Sequence, residues 1–264
     1  MKARLFLASA VLAALLPVAA RAAPAVALQP HRAIYTLKLD MVRGQRAVVA
    51  VEGRMEYSWA AACDGSTFEQ KYQMQMIYAS GDQLARNSTY AGWESADGRS
   101  LTYKLKSTSN GKDEEISGSA TLDGAAGGDA VFKLPAGLDQ KLPPGSLFPT
   151  THMQQLVRAM REGKPIFTAG FFDGSSADGP QYVSVAIGRA QSGDPSAGPM
   201  LRGPSHAISM AFFNAGETKE QPDYELRQRL FENGVADRIV VDYGDFAMSA
   251  RLESIEPIEP PRCN

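Results

Sequence analysis

Apolar and polar residues alternate with period two along most of the chain. In residues 49–59 the odd positions are almost all apolar, and the later even positions carry polar groups. The same alternation returns in residues 68–78, 101–106 and 239–252. Successive side chains of a β-strand point to opposite faces, so this pattern predicts strands with one buried face.

Short turn signals separate the predicted strands. They combine Gly with Asp, Asn or Ser, residues that tolerate the positive φ of tight hairpins. These signals are Asp64-Gly65, Ser80-Gly81-Asp82, Asp97-Gly98, Asn110-Gly111, Asp123-Gly124 and Asn233-Gly234. We therefore predict a mainly β fold with about 12–14 antiparallel strands, too many for a flat open sheet. Such a sheet curls into a spiral or barrel-like form.

One segment, residues 150–162, has helical periodicity instead. Its apolar residues recur at the spacing of a single helix face: Met153, Leu156, Val157 and Met160. Thr150 or Thr151 can cap the start, and Gly163 ends the segment. We predict one amphipathic helix that plugs the mouth of the curled sheet or lies across its face, so that the sheet wraps around it.

Residues 1–22 have the three parts of a secretory signal peptide. Lys2 and Arg4 precede a short apolar run, and Ala20-Arg21-Ala22 supplies small residues at the cleavage site. The run is too short to span a bilayer. The sequence therefore predicts export of a soluble product.

The remaining residues, 23–264, are expected to form a single domain. No charged or Ser-rich linker divides them, and the Gly- and Pro-rich residues 192–204 are interpreted as a long loop. A hydrophobic fraction of 44% is typical of a folded domain. The net charge of −2, which becomes more negative once the basic leader is removed, argues against a nucleic-acid partner.

The chain has two cysteines, Cys63 and Cys263. In an oxidising compartment they are expected to form a disulfide, which would anchor the Pro-rich residues 256–262 that suit no sheet interior. Two free structural thiols are the alternative.

The sequence carries no recognisable catalytic, cofactor or metal site. There is no Gly-x-Ser-x-Gly elbow, and the three histidines, His31, His152 and His206, have no ligand spacing. His152, in the first helical turn, is the best candidate for a general base, although a hydrogen bond of its neutral form to the preceding loop is the favoured interpretation. Asp113-Glu114-Glu115 fits a solvated loop tip as well as a cation site, and Asn87-Ser88-Thr89 matches a glycosylation signal that is common by chance.

Several aromatic and Met residues are predicted to face the interior of the curled sheet. They either fill a core or form an adaptable lining for an apolar ligand. The set is Tyr72, Met74, Met76, Tyr78, Met210, Phe212, Phe246 and Met248.

Four segments together resemble the alphaproteobacterial cell-envelope integrity (EipB) family. They are Pro30-His31-Arg32-Ala33-x-Tyr35-x-Leu37, Phe148-Pro149-Thr150-x-His152, Phe172-Asp173-Gly174-Ser175 and Pro260-Pro261-Arg262-Cys263. The resemblance implies a periplasmic β-spiral around a helix, closed by the Cys63–Cys263 disulfide. It also implies a role in envelope integrity under stress in a Gram-negative bacterium, linked with a periplasmic tetratricopeptide-repeat protein, and no catalytic residues.

The expected function is therefore non-enzymatic: a periplasmic protein that supports envelope integrity through protein–protein contacts. The alternative is a carrier that holds a lipid acyl chain or a lipoprotein inside the curved sheet. A hydrolase built on His152 is the third and weakest hypothesis.

Overall fold

The computed structural model describes residues 26–44, 48–216 and 220–263, so the predicted signal peptide, residues 1–22, lies outside the described residues. These contain 15 strands and one α-helix, α1, at Pro149–Arg161. The strands are β1 His31–Val42, β2 Val48–Ala62, β3 Gly65–Tyr78, β4 Gln83–Ser95, β5 Ser100–Ser109, β6 Lys112–Leu122, β7 Gly128–Leu134, β8 Asp139–Leu142, β9 Ser146–Leu147, β10 Ile166–Phe171, β11 Gln181–Ile187, β12 Ser205–Asn214, β13 Tyr224–Phe231, β14 Ala236–Asp242 and β15 Phe246–Pro257.

All of these strands belong to one nearly closed sheet. Its order runs from β8 back to β1, then from β15 back to β9. Neighbours are antiparallel, except that β9 pairs with β10 in parallel. The edges β8 and β9 are consecutive in the chain, so the short turn at residues 143–145 spans the seam of the rolled sheet. The barrel-like, mainly β fold is confirmed, with one strand more than the upper predicted number.

The hairpin turns follow the predicted chemistry with one exception. Asn110 and Gly111 have φ of 48° and 78°, the left-handed conformation that a tight hairpin requires. The φ of Gly65, by contrast, is not positive. A Cβ at Gly65 would lie 2.0 Å from the carbonyl oxygen of Glu94, so glycine permits the close approach of β3 to β4 there.

The Pro-rich C-terminal run lies only partly outside the sheet. Pro257 still pairs with His31 at the end of β15. β14 pairs with β15 no further than Arg251, so Pro257 has no strand on its other side. Proline is tolerated there because no ladder hydrogen bond is missing.

Helix α1 lies within one residue of its predicted bounds and seals one end of the rolled sheet. Leu156, Val157 and Met160 are fully or almost fully buried. They pack against inward-facing residues of β11, β12 and β13, among them Val183, Val185, Ile208 and Leu230. No helix in the described part of the chain is long and apolar enough to cross a membrane.

The expected disulfide between Cys63 and Cys263 is present. Cys63 lies in the β2–β3 hairpin turn, and the two Cα atoms are 5.5 Å apart across a sequence separation of 200. The bond fixes the C-terminal residues beyond β15 to the end of the sheet that α1 closes.

Candidate functional site

The rolled sheet encloses two adjoining cavities, which we call the lumen. The deep cavity, about 240 Å³, lies beside the first turns of α1. The outer cavity, about 510 Å³, lies toward the β14–β15 hairpin, away from the start of α1. The two cavities meet at the residues that line both: Gln70, Tyr90, Phe171, Asp173, Phe212 and Leu226.

Most of the predicted interior residues line the lumen. Tyr72, Met74 and Met248 face the outer cavity, and Met210 faces the deep one. Phe212 borders both cavities and stacks on Tyr224 at 4.4 Å between ring centroids. The other three, Met76, Tyr78 and Phe246, pack in a neighbouring core cluster. The lumen wall is therefore largely aromatic, aliphatic and thioether surface, which adapts to apolar ligands of varied shape.

The start of α1 is capped by Glu94 of β4, not by Thr150 or Thr151 as predicted. The Glu94 carboxylate accepts hydrogen bonds from the backbone N–H groups of Thr150 and Thr151, at 2.6 and 2.9 Å, and from the Thr151 hydroxyl. The Thr150 hydroxyl instead contacts Ser66 and accepts from the Trp59 indole. A carboxylate at a helix N-terminus satisfies unpaired N–H groups and complements the helix dipole.

His152 sits in the first turn of α1 and lines the deep cavity. Its ring packs against Phe167 and Phe171, with centroids 5.4 and 5.2 Å away. Its Nε2 has no hydrogen-bond partner among the described residues. Burial lowers the pKa of His152 to about 4. A general base is often oriented by a hydrogen-bonded carboxylate, and the described residues give the His152 ring no such partner.

We expect His152 to make stability fall as the pH falls from 7 to 5. The unfolded imidazole binds a proton near pH 6.5, whereas the folded one stays neutral until its pKa of about 4. The unfolded state binds more protons in this window, so protonation costs about 2 kcal/mol of folding free energy by pH 5. Urea unfolding of the wild type and His152→Phe at both pH values measures this cost. An identical pH dependence in the two proteins would refute the assignment.

The other two histidines have structural partners. His31 opens β1, where its Nδ1 contacts the Gln29 carbonyl oxygen at 2.7 Å, and burial lowers its pKa. His206 bridges the Gly188 carbonyl oxygen and the Glu232 carboxylate. Both rings therefore anchor the ends of strands.

The acidic hairpin between β5 and β6 is engaged in cross-strand contacts. Asp113 accepts from the Thr108 hydroxyl, and Glu114 accepts from the Ser107 hydroxyl. Glu115 pairs with the Lys104 ammonium at 2.7 Å. No group of three or more potential metal ligands occurs within the described ranges.

Two charged side chains, Arg86 and Asp173, line the outer cavity. From the sequence, Asp173 is named only as part of a family segment, and Arg86 is not selected. Arg86 lies on the inward face of β4, which also carries Ser88 and Tyr90. Asp173 follows β10, where its carboxylate accepts from the Ser175 N–H and its carbonyl oxygen accepts from the Tyr90 hydroxyl. The period-two register of β4 is the signal that could have placed Arg86 inside the sheet.

Known proteins with similar sequences and structures agree with this architecture. A family model described as EipB-like matches residues 22–259. The cell envelope integrity protein EipB of Brucella abortus (strain 2308) is 29% identical over 248 residues, which cover 90% of this chain and 87% of that protein. A crystal structure titled as a beta-barrel-like protein of domain of unknown function DUF1849, from Brucella abortus, superposes with a TM-score of 0.82 at 26% identity, covering 89% of this chain and all of that one. With its match over nearly the whole chain, the protein belongs to the EipB-like family.

Proposed function

We propose that this protein supports the integrity of the bacterial cell envelope as a non-enzymatic component of the periplasm. The family match and the relative's name, cell envelope integrity protein, support the role. The predicted signal peptide and the Cys63–Cys263 bond suit an oxidising compartment outside the cytoplasm.

Of the two expected modes of action, the geometry favours binding of an acyl chain in the lumen. The observation that carries this proposal is the apolar wall shared by the two adjoining cavities, about 240 and 510 Å³ in volume. Sites for small organic ligands fall in the range of about 300–1,000 Å³ and are mostly apolar with a few polar groups. The chain would belong to a lipid or to a lipoprotein anchor.

Native mass spectrometry of protein purified from a bacterial periplasm tests this function. We expect the wild type to carry a lipid-sized adduct. Ala250→Phe, which places a ring in the outer cavity, should lose the adduct. Ala85→Phe, the same change at an exposed position of β4, should keep it. A wild-type protein that is consistently empty would contradict the proposal.

Contact with protein partners, including a periplasmic tetratricopeptide-repeat protein, stays a second proposal. The structure offers a surface for it at β10, which pairs with β9 only at Gly170 and Phe171. The backbone of the preceding residues forms a sheet edge beside Ile166, whose exposed fraction is 64%. If Ala250→Phe empties the lumen but still complements the envelope defect of a deletion strain, protein contacts rather than a bound chain carry the role.

A further inference from the structure

We propose that the lumen binds an anionic single-chain amphiphile, with the acidic head group on Arg86 and the acyl chain directed toward α1. This inference rests on the proposed acyl-chain function and deepens it by specifying the ligand class. It follows from the position, surroundings and lack of partners of one guanidinium group.

The strand register places Arg86 at the end of the lumen near the β14–β15 hairpin, where the lining residue Tyr243 is half exposed to solvent and which we call the mouth. Arg86 pairs with Met74 on β3 and with Ser109 on β5, near the ends of both strands. Its side chain lines the outer cavity together with Met74 and Tyr243. The cation lies close enough to the Tyr243 hydroxyl to oppose the rise in that group's pKa caused by burial.

Arg86 differs from Arg43 and Arg229, each of which is paired with an aspartate. Arg43 forms a bidentate pair with Asp242, at 2.7 and 2.9 Å, and Arg229 pairs with Asp237 in the same way. The Arg86 guanidinium makes no hydrogen bond or ion pair with any described residue. A partly buried cation at an apolar wall is costly unless an anion accompanies it.

The carboxylates near the outer cavity do not supply that anion. Asp173 is the only acidic residue lining the cavity in the described ranges. It is bound to the Ser175 N–H, and burial raises its pKa, which favours its uncharged form. Asp242, at the same end of the sheet, is already paired with Arg43 and Arg227.

Beyond Arg86, the residues that line the lumen are mostly apolar, as a hydrocarbon chain requires. From the mouth the wall continues through Tyr72 and Leu226 to Phe212, which borders the deep cavity beside α1. A carboxylate or phosphate head would form charge-assisted, bidentate hydrogen bonds with the guanidinium. Its acyl chain would then cover the apolar wall below.

Isothermal titration with sodium dodecanoate below its micelle concentration, and with dodecanol below its solubility limit, tests the inference. The two probes share a twelve-carbon chain and differ in the head, which is a charged carboxylate in dodecanoate and a neutral hydroxyl in dodecanol. We expect the wild type to bind dodecanoate at least about tenfold more tightly than dodecanol, the gain of one charge-assisted contact. Arg86→Gln should remove this preference and leave dodecanol binding unchanged. Arg54→Gln, an equal loss of charge at an exposed position of β2, should keep the preference.

The outcomes separate the head-group inference from the acyl-chain function. If the wild type binds both probes equally, or if Arg86→Gln keeps the preference for dodecanoate, the lumen still accepts a chain but the role of Arg86 is wrong. If neither probe binds, the acyl-chain function fails and this inference fails with it.

Discussion

Replacing Cys63 or Cys263 by Ser lowers the free energy of unfolding by up to about 5 kcal/mol, the largest effect we expect from a single substitution. The bond closes a loop across a sequence separation of 200, so its loss returns conformational freedom to most of the unfolded chain. It also frees the C-terminal residues beyond β15, of which residues 259–263 are exposed. Their release should expose the chain to proteases from this end.

Thermal unfolding and limited proteolysis of the oxidised wild type and of each single variant measure this effect. Dithiothreitol supplies the control, because it should shift the melting temperature of the wild type to that of the variants and leave the variants unchanged. If the variants have the same melting temperature as the oxidised wild type, the bond does not stabilise the fold.

Glu94→Gln should destabilise the protein by about 3 kcal/mol, the upper end of the cost of leaving a buried polar group without its partner. The carboxylate accepts from two backbone N–H groups and one hydroxyl at the start of α1. The amide keeps one acceptor oxygen and turns an NH₂ group toward donors, which leaves a buried N–H without a partner. The site is only 1% exposed, so water cannot replace the lost acceptor.

Urea unfolding at pH 7 measures this loss. Glu115→Gln is the matched control, because Glu115 is also a strand glutamate but pairs with Lys104 on the outer face. Its loss should cost less than about 1 kcal/mol. Equal stabilities for the two variants would mean that Glu94 does not hold the helix.

The fold could be predicted from the sequence because its determinants are local. The period-two pattern specifies the buried face of each strand, and Gly in turns such as Asn110-Gly111 specifies where the chain reverses. The i, i+3, i+4, i+7 stripe of Leu156 and Met160 specifies α1 within one residue. The pairing of Cys63 with Cys263 follows from there being two cysteines in a chain that the sequence predicts to be exported.

The features of the site that depend on distant residues could not be predicted in the same way. Glu94 reaches Thr150 across 56 positions, and a local capping rule selects the nearby Thr side chain instead. The lack of a partner for Arg86 can be recognised only when the positions of the neighbouring strands are known. The sequence also left open whether residues such as Phe212 fill a core or line a cavity, since the curvature of the whole sheet decides it.

The central claim is that the rolled sheet encloses a lumen that holds an acyl chain, and fluorescence quenching by 12-bromododecanoate tests it most directly. The chain has two tryptophans. Trp59 lines the deep cavity, whereas Trp93 lies in a surface groove, where its indole contacts Asp64. The Trp93→Phe variant therefore keeps Trp59 and reports on the deep cavity. The Trp59→Phe variant keeps Trp93 and reports on the surface groove.

We predict that bromododecanoate quenches the emission of Trp59 saturably in the Trp93→Phe variant. Unbrominated dodecanoate should not quench it, and bromododecanoate should not quench Trp93 in the Trp59→Phe variant. Emission from Trp59 that bromododecanoate leaves unchanged, or equal quenching of both tryptophans, would contradict a chain bound inside the sheet.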